Sequence, residues 1–111
     1  MFQKVAGQLG QYMDLLSTRQ KLVASNIANV DTPGYKTRDV DFQFEFLSRV
    51  EGATPNVIEP ELASKNDGNN VSLDREARLL AENGIRFQTA SLLARGQFNM
   101  VKSAIQEGRN G

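Results

Sequence analysis

Apolar residues recur through the first quarter of the chain at Val5, Leu9, Tyr12, Leu16, Val23 and Ile27. The steps of three and four, interrupted around Arg19 and Gln20, trace one face of a helix over about residues 3–28. Gly7 and Gly10 weaken its first two turns, because a glycine costs a helix interior about 1 kcal/mol against alanine. Those turns are expected to fray or to be ordered only by contacts. A second pattern is more regular. Leu73, Ala77, Leu80, Gly84, Phe87, Ser91, Ala94, Phe98, Val101 and Ile105 alternate steps of four and three without a break. An a/d seam sustained over that length predicts a coiled-coil-like helix over about residues 73–107. Ser72 is placed to cap its first amides, and Asp74 and Glu76 suit the positive end of the helix dipole. Gly108 and Gly111 bracket the expected end, with Arg109 nearby. Small residues at Gly84, Ser91 and Ala94 on the seam point to close helix approach or a gentle kink.

At 1.5 Å per residue the two helices would be roughly 40 and 50 Å long, so neither can enclose the other. A hairpin of the two buries one stripe and leaves Leu15, Leu22, Leu79, Ile85, Leu92, Leu93 and Met100 partly in water. Two readings follow: a small closed bundle such as a dimer of hairpins, or a subunit whose second apolar face packs against neighbours. Either way the fold class is mainly α. Two long terminal helices pack as an antiparallel coiled-coil-like hairpin, joined by an irregular, partly extended linker. The division is an N-terminal helix over 1–30, a linker over 31–71 and a C-terminal helix over 72–108, together forming one elongated unit.

The linker is rich in turn signals. Thr32-Pro33-Gly34-Tyr35 reads as a type II turn, with proline presetting φ and glycine supplying a positive φ at the third position. Asn29 is expected to end the first helix, tolerating left-handed geometry there and satisfying orphan carbonyls. Asn26 falls on the seam, where burial alone would be costly, but pairing with a neighbouring backbone would fix register. Residues 39–46 alternate polar and apolar, which favours a strand, yet Phe42, Phe46 and Val50 also sit at helical spacing. From Gly52 to Asn70, breakers and the run Asn66-Asp67-Gly68-Asn69-Asn70 read as loop.

Composition narrows the chemistry. The 111 residues include no histidine, cysteine or tryptophan, which excludes histidine- or thiol-based nucleophilic triads and imidazole or thiolate metal sites. Thirteen basic residues balance thirteen acidic ones, against the basic stripe of a nucleic-acid binder. The charge is unevenly spread, with an acidic middle between weakly basic ends. Asp39, Asp41 and Glu45 read as a solvated face rather than an acid/base pair, because the alternation offers no contrast of environments. The stretch from Asp67 fails as a calcium loop, with Val71 at the fifth position and Ser72 where glycine is required. Residues 5–11 are too polar for a secretory signal, and no apolar run approaches the roughly 20 residues of a membrane span. No catalytic residue set, cofactor site or metal site is expected.

The run Ser25-Asn26-Ile27-Ala28-Asn29-Val30-Asp31-Thr32-Pro33-Gly34-Tyr35-Lys36 resembles the N-terminal signature of the bacterial flagellar rod, hook and hook-associated protein family. The continuation Thr37-Arg38-Asp39-Val40-Asp41-Phe42 is similar to the proximal rod members in particular. So are Asn69-Asn70-Val71-Ser72-Leu73-Asp74-Arg75-Glu76, Glu82-Asn83, Arg86-Phe87-Gln88 and Lys102-Ser103-Ala104-Ile105-Gln106-Glu107-Gly108. The resemblance covers about residues 9–42 and 66–108; Gly84 departs from it, and the short middle matches proximal members, since distal relatives carry inserted β domains there. It implies a structural, non-enzymatic rod subunit of the flagellar basal body. Such a subunit leaves the cytoplasm unfolded through the flagellar type III export gate without signal cleavage and polymerises in the periplasm through its terminal helices. Implied partners are further copies of itself, a FliE-like rod-base adaptor, the MS ring and a FlgC-like rod protein. Asn26, Asn29, Thr32, Pro33, Gly34 and Tyr35 are the family signature. The expected assembly interface is Val5, Leu9, Tyr12, Leu16, Val23 and Ile27 on the first helix, with Leu73, Ala77, Leu80, Phe87, Ala94, Phe98, Val101 and Ile105 on the second. Outside the resemblance, a soluble helical adaptor or chaperone closing a bundle with one partner is the competing reading.

Overall fold

A computed structural model describes residues 2–48 and 54–110, so Val50, Gly52 and Gly111 lie outside the described residues. Three helices follow in order: α1 (Phe2–Ala28), α2 (Phe42–Ser48) and α3 (Leu73–Asn110). α1 and α3 pack antiparallel, and the molecule measures 71 × 25 × 16 Å. With 27 and 38 residues the two helices are about 40 and 57 Å long. α3 therefore overshoots α1 by about 16 Å, and residues 102–109 are exposed without exception.

The α3 start is capped as its sequence requires. The Arg75 amide donates to Ser72 Oγ at 3.2 Å and the Glu76 amide to the Ser72 carbonyl at 3.0 Å. Its end differs from expectation, because the helix runs through Gly108 to Asn110. α1 likewise continues through Gly7 and Gly10. It stops at Ala28 without left-handed geometry at Asn29: among the described residues, positive φ belongs only to Gly34 and Gly68. Asn29 instead folds its side chain back, donating from Nδ2 to the Ser25 carbonyl at 2.8 Å and accepting from Thr32 Oγ1 at 3.1 Å. Gly34, at φ 75°, completes the type II turn, closed by the Tyr35 amide on the Thr32 carbonyl at 3.2 Å.

The ambiguous middle divides in two. Asp39 and Ile58 exchange a pair of antiparallel backbone hydrogen bonds at 2.9 and 2.7 Å, and three residues later the chain turns into α2. Asp41 starts that helix by accepting the Phe44 amide on Oδ1 at 3.2 Å. Tyr12 of α1 meets Phe42 and Phe46 edge-on, each at 5.5 Å between ring centres.

The core is thin. Its buried apolar residues are Leu15, Leu16 and Val23 of α1, Leu79 and Ala90 of α3, and Val40 and Val71 of the linker. Leu15 and Leu79, expected partly in water, are therefore part of the hairpin itself. On α3 the buried stripe is Glu76, Leu79, Asn83 and Ala90, continued by half-buried Ala94, Gln97 and Val101. For most of its length this stripe is turned by about one residue from the apolar seam. Polar contacts at the base of the hairpin, described next, fix the rotation of α3, and so decide which stripe meets α1.

Candidate assembly surface and its polar neck

Where the linker joins both helices, buried amide side chains hold main chain. Asn26, almost fully enclosed, donates from Nδ2 to the Arg38 carbonyl at 2.8 Å. Its Oδ1 accepts the Arg38 amide at 3.0 Å and the Tyr35 hydroxyl at 3.0 Å. Tyr35 also lies 3.2 Å from Ser25 Oγ. The expected pairing of Asn26 with backbone is thus made within the chain. Asn69 donates to the Asn29 and Thr32 carbonyls at 2.9 and 2.8 Å and accepts the Val71 amide at 2.9 Å. Asn70 accepts the Thr37 amide on Oδ1 at 2.6 Å. Both polar atoms of Asn26 and of Asn69, and the side-chain oxygen of Asn70, are engaged, which offsets the cost of burying them.

Asp39 is the charged centre of this neck. Its carboxylate accepts both Arg19 Nε and Nη2 at 3.0 Å, Arg75 Nη2 at 2.5 Å and the Val40 amide at 2.7 Å. One linker residue thereby ties α1 to α3. Arg75 also pairs with buried Glu76 at 2.9 Å, whose Oε2 has no hydrogen-bond partner. Arg19 and Arg86 lie over the Phe42 ring at 5.8 and 5.3 Å, so α2 is pinned to both long helices. Glu45 is buried too and accepts the Asn56 amide at 3.1 Å. Asp39 and Glu45 thus contradict the solvated face expected of them; Asp41 alone of the three is exposed. Alternation along the chain could not reveal this, because the partners of Asp39 lie 20 and 36 residues away. The one local signal was Arg19, which interrupts an apolar stripe where only a buried anion would accommodate it.

The expected interface residues fall in three groups. Leu16 and Val23 are buried within the hairpin, while Val5, Leu9, Tyr12, Ala94 and Val101 are half-buried. Ile27, Leu73, Ala77, Leu80, Phe87, Phe98 and Ile105 are exposed, Phe98 by 66%. Of the signature residues Asn26 is buried, Asn29 and Tyr35 are half-buried, and Thr32, Pro33 and Gly34 shape the exposed turn. Sequence reasoning did not single out Thr37, Asp39, Asn69, Asn70 or Asn83 as structural residues. Beside Gly84 a hollow of about 370 Å³ opens between α1 and α3, bordered by Leu16, Ser17, Lys21 and Phe87. A Cβ added at Gly84 would meet nothing within 4 Å. The whole chain exposes 7713 Å², whereas a compact protein of 12.3 kDa exposes about 6,100 Å². No helix among the described residues is long and apolar enough to cross a membrane.

A thin hairpin clasped at one end, with an apolar seam left open along its longer helix, has the character of a subunit completed by neighbours. Residues 13–36, which carry α1 into the neck, match the family described as flagella basal body rod protein. The chain is similar to the flagellar basal body rod protein FlgB of Yersinia ruckeri, 30% identical over 137 residues that cover 97% of this chain and 100% of the relative. FlgB of Escherichia coli K12 is 31% identical, covering 86% of this chain and 88% of its own. FlgB of Bacillus subtilis 168 is 31% identical, covering 82% and 84%. The chain belongs to the FlgB family of flagellar basal body rod proteins.

Proposed function

We propose that the chain is a structural, non-catalytic subunit of the proximal rod of the flagellar basal body. It is exported through the flagellar type III gate without signal cleavage and polymerises in the periplasm through its two terminal helices. Its partners are other copies of itself, a FliE-like adaptor and the MS ring at the rod base, and a FlgC-like rod protein above. The observation that supports this most is the set of exposed seam residues Leu73, Leu80, Phe87, Phe98 and Ile105 on a chain of the FlgB family. The helices over 1–30 and 72–108 act with the linker over 31–71 as one elongated unit, in which the signature residues serve the neck. Ordering the free helix ends costs roughly 1–2 kcal/mol per residue in backbone entropy, which the thin core repays poorly. Assembly supplies the missing burial, and export as an unfolded chain is correspondingly easy.

The test replaces the chain in a motile host with Phe98→Asp. Secretion is expected to continue while incorporation into the rod stops. Normal incorporation, or a purified chain that forms only closed dimers or tetramers, would overturn the reading in favour of a closed helical adaptor.

A further inference from the structure

We infer that Asn83 is a site of spontaneous backbone modification that the folding of α3 switches off, so that Asn83-Gly84 acts as a one-way timer on the unfolded chain. The inference stands apart from the rod reading. It starts from the glycine. Gly84 departs from the family resemblance and weakens the helix that contains it. Nothing in the packing requires it: an added Cβ would meet no atom within 4 Å, and its φ is not positive. What the glycine does is chemical. Having no side chain, it leaves the amide nitrogen after Asn83 unscreened.

In an unfolded chain the Gly84 nitrogen attacks Asn83 Cγ as it loses its proton. The N–Cγ bond forms, the Cγ–Nδ2 bond breaks, and ammonia leaves with that proton, giving a five-membered succinimide. Water then opens the ring at either carbonyl. One opening gives aspartate. The other gives isoaspartate, whose main chain runs through the former side chain and is longer by one methylene. No oxidant, reductant or catalyst is needed.

The folded chain closes this route in two ways. Asn83 lies within α3, where the Gly84 amide is committed to an intrahelical hydrogen bond. The Cα–Cβ bond of a helical residue also tilts toward the helix start, away from the nitrogen that follows it. Beyond the helix itself, Asn83 is only 3% exposed, and its Nδ2, the leaving group, donates to Gln20 Oε1 of α1 at 3.4 Å. Reaction therefore requires a turn of α3 and its packing on α1 to open together.

Modification in turn prevents folding. Asn83 shares the buried stripe of α3 with Glu76, Leu79 and Ala90. Aspartate exchanges the amide donor for a charged acceptor against the Gln20 oxygen. Isoaspartate does more, because its added methylene interrupts the three- and four-residue rhythm between Leu79 and Ala90. Only one of the two then faces α1. Because ammonia is lost, a chain that waits too long unfolded does not recover the hairpin.

The test incubates the purified chain in mildly alkaline buffer, either with trimethylamine N-oxide, which favours burial, or in guanidinium chloride. Both samples are digested with trypsin. The peptide 79–86, released by cleavage after Arg78 and Arg86, holds no other asparagine or glutamine, so amide-to-acid conversion in it reports Asn83 alone. Conversion is expected to be at least about tenfold faster in guanidinium, since each 1.4 kcal/mol of opening free energy slows the folded chain tenfold. Gly84→Ala is expected to suppress the reaction in guanidinium. When the aged chain is refolded and briefly exposed to protease, the resistant fraction is expected to be depleted of isoaspartyl peptide about tenfold. Equal rates in the two solvents would overturn the inference. So would undiminished conversion in the Gly84→Ala chain, or an isoaspartyl form that refolds as readily as the parent.

Discussion

Replacing Asp39 with alanine removes the one carboxylate that joins α1, the linker and α3. Four hydrogen bonds disappear together: two from Arg19, one from Arg75 and one from the Val40 amide. Breaking a buried ion pair by deleting one partner costs about 3–5 kcal/mol, because the other charge is left stranded. Here the lower end applies. The Arg19 and Arg75 side chains keep 14% and 18% of their surface in water, and Arg75 retains Glu76. A loss of about 3 kcal/mol is a large share of the roughly 5–15 kcal/mol that holds a domain together. The suitable assay is amide hydrogen exchange, which reads the neck even where the helix ends open separately. Protection at the Thr37, Asp39 and Asn70 amides, all hydrogen-bonded across the neck, is expected to fall about a hundredfold, since 1.4 kcal/mol is tenfold. Asp41→Ala, which removes only the cap of α2, should leave those amides unchanged. Equal protection in the Asp39→Ala variant and the parent chain would refute the view that this ion pair holds the neck.

Asn69→Ala strands the Val71 amide and removes the second hydrogen bond from the Asn29 and Thr32 carbonyls, and is expected to destabilise the neck by about 1–3 kcal/mol, measured by the same exchange experiment. Gly84→Ala should do the opposite to the isolated chain. It raises helix stability by about 1 kcal/mol in thermal circular dichroism, because the added Cβ meets nothing.

The two long helices are legible because both carry three- and four-residue apolar steps, interrupted in the first only around Arg19 and Gln20, and Ser72 announces the start of the second. Their mutual rotation is not. Apolar side chains alone define the seam, while the packed stripe of α3 contains Glu76 and Asn83, which qualify only because Arg75 and Gln20 meet them. Leu15 and Leu79 are buried, against expectation, for the same reason. Gly34 disclosed its turn, since no other residue takes a φ of 75° so cheaply. Asn29 misled, because an asparagine after a helix has two ways to satisfy carbonyls, and the choice is set by Thr32 beyond it. The short helix at Phe42 competed evenly with a strand until Tyr12, from another part of the chain, supplied aromatic partners for both its phenylalanines. Asp39 and Glu45 illustrate the general limit: burial of a charge depends on a partner whose position in the sequence gives no notice.

The amides of the neck grip main-chain atoms, and they do so at the two points where the linker leaves α1 and returns to α3. Thr37 and Asn70 are held together whatever the intervening chain does. The neck therefore behaves as a socket for interchangeable loops. Doubling the chain between its jaws adds only about 0.6 kcal/mol of closure entropy. The 137 positions aligned with the Yersinia ruckeri relative exceed the 111 residues here, so that relative carries segments this chain lacks. A hairpin closed by a socket of this kind can gain or lose outward-facing material in the linker between its jaws and keep the same two helices beneath it.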